Sequence, residues 1–313
     1  MKIGMLVFIH PEASLSRYKK PISFFRKAVR SRGHSFKLLQ SHLCDLMMTD
    51  KGLDICYAGK PFPKLDCIIP RINSSKNLAE DLLINKQLML MNIPVLNDAT
   101  PFANAKNKIA TFQILVEAGL PVPKTVIVKS LNDLDAAVEL LNGLPLIVKT
   151  PIGSQGKGVA IVETRRSLLS SIGMIMSQGV TNIILQEYIE ESQGQDLRIF
   201  VVGGNIIAAM ERTAVEGDFR SNIHQGGKGA NVKLTKQESD LALRAAAALK
   251  LDVAGVDLLR SKRGPLIMEV NCNPGLEGIT AVSGVDVAGE IIDFLVKKTL
   301  AQKAKKIKKA KKK

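Results

Sequence analysis

The stretch "PLIMEVNCNPGLEGI", Pro265 to Ile279, decides how the chain is read. Its apolar run, Leu266 to Val270, has the character of a buried strand, yet Glu269 and Asn271 interrupt the end of it. Side chains two apart on a strand share a face, so a carboxylate and an amide oxygen stand side by side. Asn273-Pro274-Gly275 then stops the strand. Just upstream, "VAGVDLL" reads as a second strand, and the short "RSKRG" connection predicts an antiparallel hairpin. That pairing brings Asp257 toward Glu269 and Asn271. Three oxygen donors converging at strand ends match what a hard cation such as Mg²⁺ prefers. The competing reading is that the acids only pair with nearby Lys or Arg.

Working outward, "LPLIVKTPIGSQGKGVAIVE" (144–163) is a strand, a glycine-rich loop and a strand. The loop residues Gly153, Gly156 and Gly158 expose backbone N–H groups that can approach phosphate oxygens. It lacks the GK[ST] of a P-loop and the glycine spacing of a dinucleotide fingerprint. A glycine flap between strands points instead to a lid over a nucleotide, with the Lys149 ammonium within reach of phosphates. "ILQEYIEES" (184–192) leaves a strand for polar residues, as a hinge between lobes would. There Glu187 and the backbone can face an adenine edge and ribose hydroxyls. Arg198 and Arg212 lie on the "LRIFVVGGNIIAAMERT" strands, a hairpin around Gly203-Gly204. "GDFRSNIHQGGKG" follows with Arg220, Asn222, His224 and Lys228, a loop suited to phosphate or carboxylate.

The 313 residues suffice for two or three small domains, and 46% hydrophobic content supports a real core. No apolar run reaches membrane-spanning length, and "MKIGMLVFIHPE" reads as a first core strand rather than a signal peptide. Cys44, Cys56, Cys67 and Cys272 show no metal spacing and are expected to be reduced thiols of a cytoplasmic protein. Of the formal charge of +15, ten lysines from Lys297 to Lys313 account for the greater part, leaving +5 for the rest. The segment 301–313, "AQKAKKIKKAKKK", is expected to be a disordered basic tail, either solvated or tethering an anionic partner such as RNA.

Strands and helices alternate through residues 1–105, a small α/β unit with a parallel sheet. "PISFFRKAVRSRG" and "NLAEDLLINKQLML" are its helices. "FKLL", "DCIIPRI" and "IPVLN" are further strands. Residues 106–300 follow as α+β, with a lid lobe at about 120–187 and a C-terminal lobe at about 188–300. Thr235 and Glu238 form a capping box that opens a helix.

Lys149, the glycine loop, Gln186-Glu187-Tyr188, "DLR", "ERTAVEGDFRSNIHQGG", "AGVDLL" and "MEVNCNPGLEGI" occur in that order. Together they resemble the ATP-grasp carboxylate–amine ligases, and within them the RimK family, over about residues 1–298. The resemblance implies an ATP-grasp fold behind a pre-ATP-grasp domain, and ATP with Mg²⁺ or Mn²⁺, two ions in all. It implies ligation of glutamate to the C-terminus of a ribosomal small-subunit protein, in a homo-oligomer. Lys149 and Lys106 match phosphate-contacting lysines. Gln186, Glu187 and Tyr188 match the adenine hinge. Asp196, with Arg198 close by, matches a nucleotide contact. Arg220, Ser221 and Asn222 match the phosphate- and acyl-facing loop, with Arg220 and Asn222 as catalytic residues. Asp257, Glu269 and Asn271 match the metal ligands. Tyr188, Asp196 and Ser221 rest on the resemblance alone. Other readings are a ligase acting on a carrier protein or coenzyme or forming poly-glutamate, a small-acid kinase on the same fold, or an RNA or ribosome binder without turnover. The lysine tail lies outside the shared pattern. Substrate specificity is expected in the front domain, around "PRIN" with Arg71 and Asn73 or in the "HPEASLSRYKKP" loop.

Overall fold

A computed structural model describes residues 1–10, 12, 14–72, 78–153, 158–215 and 227–310. The N-terminal unit contains β1 (Lys2–Val7), α1 (Lys19–Ser31), β2 (Ser35–Gln40), β3 (Cys44–Thr49), β4 (Gly52–Tyr57), β5 (Lys60–Pro61), β6 (Cys67–Arg71), α2 (Leu78–Leu90) and α3 (Ala99–Lys106). β2, β1 and β6 form a parallel sheet in that order. β1 is buried from Ile3 to Val7 because both faces are covered, which is why it reads as an unbroken apolar run. α1 covers one face with Ile22, Phe25, Ala28 and Val29, spaced for one side of a helix. The expected strand "IPVLN" is reduced to a single bridge, Val95 to Ile68. β3, β4 and β5 form a separate small antiparallel sheet, which the sequence reading did not anticipate.

The second unit comprises α4 (Lys108–Glu117), β7 (Thr125–Val128), α5 (Leu134–Leu140), β8 (Leu146–Lys149), β9 (Val159–Val162), α6 (Arg165–Ser177) and β10 (Ile183–Glu187). Its sheet is antiparallel, in the order β7-β10-β8-β9. α5 and α6 bury Leu134, Ala137, Leu168 and Ile172 against it. Among the described residues this core has no member in common with the two cores of the other units.

The third unit holds β11 (Gln195–Val202), β12 (Asn205–Thr213), β13 (Lys228–Asn231), α7 (Lys236–Ala248), β14 (Val253–Ser261), β15 (Gly264–Asn271), α8 (Glu277–Ser283) and α9 (Val287–Ala310). The sheet runs β13-β12-β11-β14-β15, all antiparallel. Gly203 and Gly204, at φ +57° and +78°, make the tight turn between β11 and β12. Thr235 and Glu238 cap α7 reciprocally, at 3.2 and 2.8 Å.

Two large cores join the first and third units. One runs from Leu6 and Phe102 to Ile267 and Val270, the other from Ile3 and Phe25 to Ile291 and Leu295. Buried Asn97 stitches them together. Its amide donates to the carbonyls of Val253 (2.7 Å) and Cys272 (2.8 Å) and accepts from the Val253 N–H (2.9 Å).

The expected disorder of the tail is corrected: α9 continues as helix to Ala310. Its first half is anchored by buried Val287, Ile291, Leu295 and Thr299. Lys298 bridges Asp98 (2.9 Å) and Asp252 (2.6 Å). Ala and Lys are strong helix formers, and lysines at a helix C-terminus complement its dipole. Residues 311–313 lie outside the described residues. No described helix is long and apolar enough to cross a membrane.

Candidate active site

β14 and β15 pair as the sequence predicts, with Asp257 opposite Glu269 and Gly255 opposite Asn271. The register slips by one residue between Asp257 and Leu258, leaving Met268 as the extra residue of a bulge. A one-residue slip moves side chains to the other face. It allows Leu258 and Ile267 to stay fully buried while Glu269 lies beside Asp257. Gly255 permits the following turn to close: a Cβ there would come within 2.8 Å of the Pro274 side chain.

Across the sheet, Arg198 on β11 stands opposite Asp257, and Arg212 on β12 stands opposite Asp196. Arg198 grips Asp257 with two donors, Nε and Nη2, the latter at 2.7 Å. Arg212 grips Asp196 at 2.6 and 2.7 Å and reaches Asp257 Oδ2 at 3.0 Å. Asp196, Arg212 and Asp257 are each at most 3% exposed. Burial pushes the Asp257 carboxyl up, but the two guanidinium groups overcome it and hold it below the usual range. Burial likewise lowers Arg212, and Asp257 and Asp196 reverse the sign. The pairing alternative weighed for Asp257 is therefore present in the structure.

The arrangement still fits a cation. Oδ1 of Asp257 accepts one hydrogen bond among the described residues, leaving a lone pair. The Asn271 Nδ2 donates to Asp257 Oδ2 at 3.4 Å, which sets the amide beside the carboxylate. Two carboxylates and an amide oxygen on one face are a hard donor set.

The lid sheet faces this site with Lys149. It is 8% exposed and donates to Gln186 Oε1 at 2.6 Å, while Gln186 Nε2 donates to Thr125 Oγ1 at 2.9 Å. Burial lowers the Lys149 pKa to about 8, against the attraction of Glu269. Lys149 and Glu269 are thus within electrostatic reach of each other. Lys108, which the sequence reading passed over, donates to the carbonyl of Gly153 at 3.2 Å, at the end of the described stretch that leaves β8. Lys106 ends α3 with its ammonium 5.7 Å from the Phe102 ring. The Glu187 carboxylate accepts from the Lys124 N–H at 2.6 Å and from Arg263, so its side chain joins the lid to the β14–β15 turn. Tyr188 is half-buried just beyond β10. Gly156, Arg220, Ser221 and Asn222, with His224 and Asn73, lie outside the described residues. Cys272 is buried, its thiol pushed up to about 12 by burial, as expected of an inert cysteine.

The geometry matches known proteins. Residues 105–295 match the RimK-like ATP-grasp domain, and residues 13–101 match the RimK pre-ATP-grasp domain. This chain belongs to the RimK family. Among its RimK relatives, the ribosomal protein bS6–L-glutamate ligase of Shigella boydii is 41% identical over 270 residues, covering 86% of this chain and 89% of the relative. A probable alpha-L-glutamate ligase of Coxiella burnetii is 38% identical over 304 residues, covering 97% and 98%. A RimK domain ATP-grasp protein from Sphaerobacter thermophilus superposes with a TM-score of 0.69 at 22% identity, covering 93% and 98% of the two chains. D-alanine–D-alanine ligase from Bacillus anthracis does so with 0.72 at 17%, covering 97% and 99%. The fold expected from sequence, ATP-grasp behind a pre-ATP-grasp domain, is thus the fold observed, and this RimK protein is an ATP-grasp amino-acid ligase.

Proposed function

We propose that this enzyme joins the amino group of glutamate to the C-terminal carboxylate of a ribosomal small-subunit protein, using ATP. The observation that carries the proposal is the Asp257–Glu269–Asn271 face opposite buried Lys149. The substrate assignment draws on the 41% identity to a bS6–L-glutamate ligase. In this reading residues 1–105 form the front domain and 106–300 the catalytic unit of a cytoplasmic homo-oligomer. The lysines of 301–313 contact RNA.

An acceptor carboxylate oxygen attacks the γ-phosphorus of ATP. The new O–P bond forms as the bond to the β-phosphate oxygen breaks and ADP leaves. The glutamate amine then attacks the acyl carbon, forming the amide and expelling inorganic phosphate as the amine loses its proton. The obstacle in the first step is an anion attacking an anion. Asp257, Glu269 and Asn271 would hold Mg²⁺ or Mn²⁺, two ions as in the family pattern, supplying charge neutralisation at the phosphates. Lys149 supplies a fixed positive charge in a site with little water, where it acts most strongly. Gln186 keeps that ammonium in place. Arg220 and Asn222 are the proposed contacts of the phosphate and the acyl oxygen, with Ser221 and Arg198 beside them. Gln186, Glu187 and Tyr188 line the adenine end, Asp196, held by Arg212, stands just beyond them on the nucleotide side, and Lys106 supports the phosphates. Gly156 belongs to the flap that keeps water from the acyl phosphate.

Mass spectrometry of ribosomes incubated with the enzyme, Mg-ATP and glutamate tests the acceptor. One small ribosomal protein should gain glutamate-sized mass increments. Glutamate chains formed equally without ribosomes would replace this acceptor with free glutamate, an outcome compatible with the Coxiella relative's name, which specifies no acceptor. ATP turnover with no glutamate product would overturn the reading.

Lys149 gives a pH signature. Only the ammonium form attracts phosphates, and in the free enzyme it titrates near pH 8. The dissociation constant of a non-hydrolysable ATP analogue should therefore rise roughly tenfold per pH unit above 8, and stay flat for Lys149→Met. The stability effect has the opposite sense. Between about 8 and the ordinary value of 10.5, the unfolded chain holds a proton that the folded chain has lost, so this group's contribution to stability rises with pH. Urea unfolding of the two proteins across that window checks it.

A further inference from the structure

The parallel sheet of the front domain has a ligand position that the chemistry above leaves unused. From β1 the chain moves to one side to make β2 and later returns to the other side of β1 to make β6. In open parallel sheets, ligands settle beyond the carboxyl ends of strands where the connections diverge in this way. Here that point lies between the ends of β1 and β6. Arg71 is the last residue of β6. The Tyr18 hydroxyl donates to the carbonyl of Phe8 at 2.8 Å and lies 3.5 Å from the carbonyl of Arg71, joining the two strand ends.

Arg71 is 6% exposed and pairs with no carboxylate among the described residues. Its Nη2 donates to the Pro274 carbonyl at 3.4 Å, and its guanidinium lies 5.6 Å from the Phe25 ring centre. Among the described residues its Nε has no hydrogen-bond partner. Buried Arg212 and half-buried Arg198 each grip a carboxylate with two donors. A buried cation lacking a counter-charge is strongly disfavoured, and burial lowers the Arg71 pKa to about 10. The arrangement makes sense if a ligand supplies the anion. Pro274 follows Asn271 by three residues, so the guanidinium adjoins the turn that leaves the metal-binding face.

We propose that Arg71 recognises a carboxylate of a substrate, in a subsite at the carboxyl edge of β1 and β6. The free Nε–H belongs to the planar donor fork that matches a carboxylate. Resting on the ligation reading, the carboxylate comes either from glutamate or from the acceptor's C-terminal residue. Both present the same chemistry.

The test is steady-state kinetics of the wild type, Arg71→Lys and Arg71→Met, varying glutamate and acceptor peptide separately. The KM for one of them should rise roughly 30-fold or more in Arg71→Met, with kcat within about threefold and nucleotide affinity unchanged. Which KM moves identifies the source. Arg71→Lys keeps the charge but loses the fork, and should fall between. The unfolding midpoint of ligand-free Arg71→Met should equal or exceed that of the wild type, since an unpaired buried charge is removed. Unchanged KM values in both variants, or a lower midpoint with unchanged KM, would overturn the proposal. If Arg71→Met does not fold, Arg71→Lys decides alone. If the wild type makes no glutamate product, the ligation reading fails separately. Thermal shifts with amino-acid carboxylates and their amides, beside Mg²⁺ and a non-hydrolysable ATP analogue, then decide the subsite. A shift for a carboxylate, absent for its amide and in Arg71→Lys, supports it; no such shift overturns it.

Discussion

Replacing Glu269 with alanine should lower kcat by about 10²–10³, the usual cost of losing one electrostatic group at a phosphoryl or acyl transfer centre. The side chain lies beside Asp257 and attracts Lys149 electrostatically. It is half-buried and packs no core, so the fold should survive. Single-turnover formation of ADP at saturating nucleotide separates this effect from weaker binding. Glu269→Gln keeps the shape and loses the charge, and should fall nearly as far. Near-normal turnover in Glu269→Ala with bound nucleotide would remove the metal assignment for this strand.

The second large effect is on stability. Arg212→Met should destabilise the protein by about 3–5 kcal/mol, the cost of breaking a buried pair from one side. Arg212 grips both Asp196 oxygens and is the second cation on Asp257. Its loss leaves two buried carboxylates short of compensation, although Arg198 still holds Asp257. Urea denaturation measures the loss. A shift below 1 kcal/mol would mean that water enters the cluster freely.

The β14–β15 hairpin was legible because its signals are local. Alternation of Glu269 and Asn271, the short turn and the Asn-Pro-Gly stop all fall within twenty residues. The Gly203-Gly204 hairpin and the α7 capping box were legible for the same reason. The bulge at Met268 was not, because it depends on which residues face the core of a partner strand. Nor was the role of Arg212, whose partners lie 16 and 45 residues away by number on two other strands. Composition misled at the end of the chain. Lysine-rich sequence reads as disorder, but a helix already nucleated and packed extends through such residues at little cost. The β3–β5 sheet escaped notice because β3 is largely exposed and lacks a buried stripe. The proposed roles of Arg220, Ser221 and Asn222, outside the described residues, rest on the resemblance.

The closing helix also governs when the first residues made can finish folding. Ile3, Met5 and Phe25 are buried together with Val287, Ile291 and Leu295, and Arg32 on the end of α1 pairs with Asp286 (3.1 Å) and Asp293 (2.7 Å). During synthesis the front sheet is complete at Arg71, 216 residues before Val287 opens the helix that covers it. Folding of a nascent chain usually proceeds domain by domain from the N-terminus. Here the front third must wait with an uncovered apolar face, while the self-contained lid, whose core is local, can close in the meantime. The order of birth and the order of completion are thus inverted: the middle of the chain matures first, and its two ends mature together.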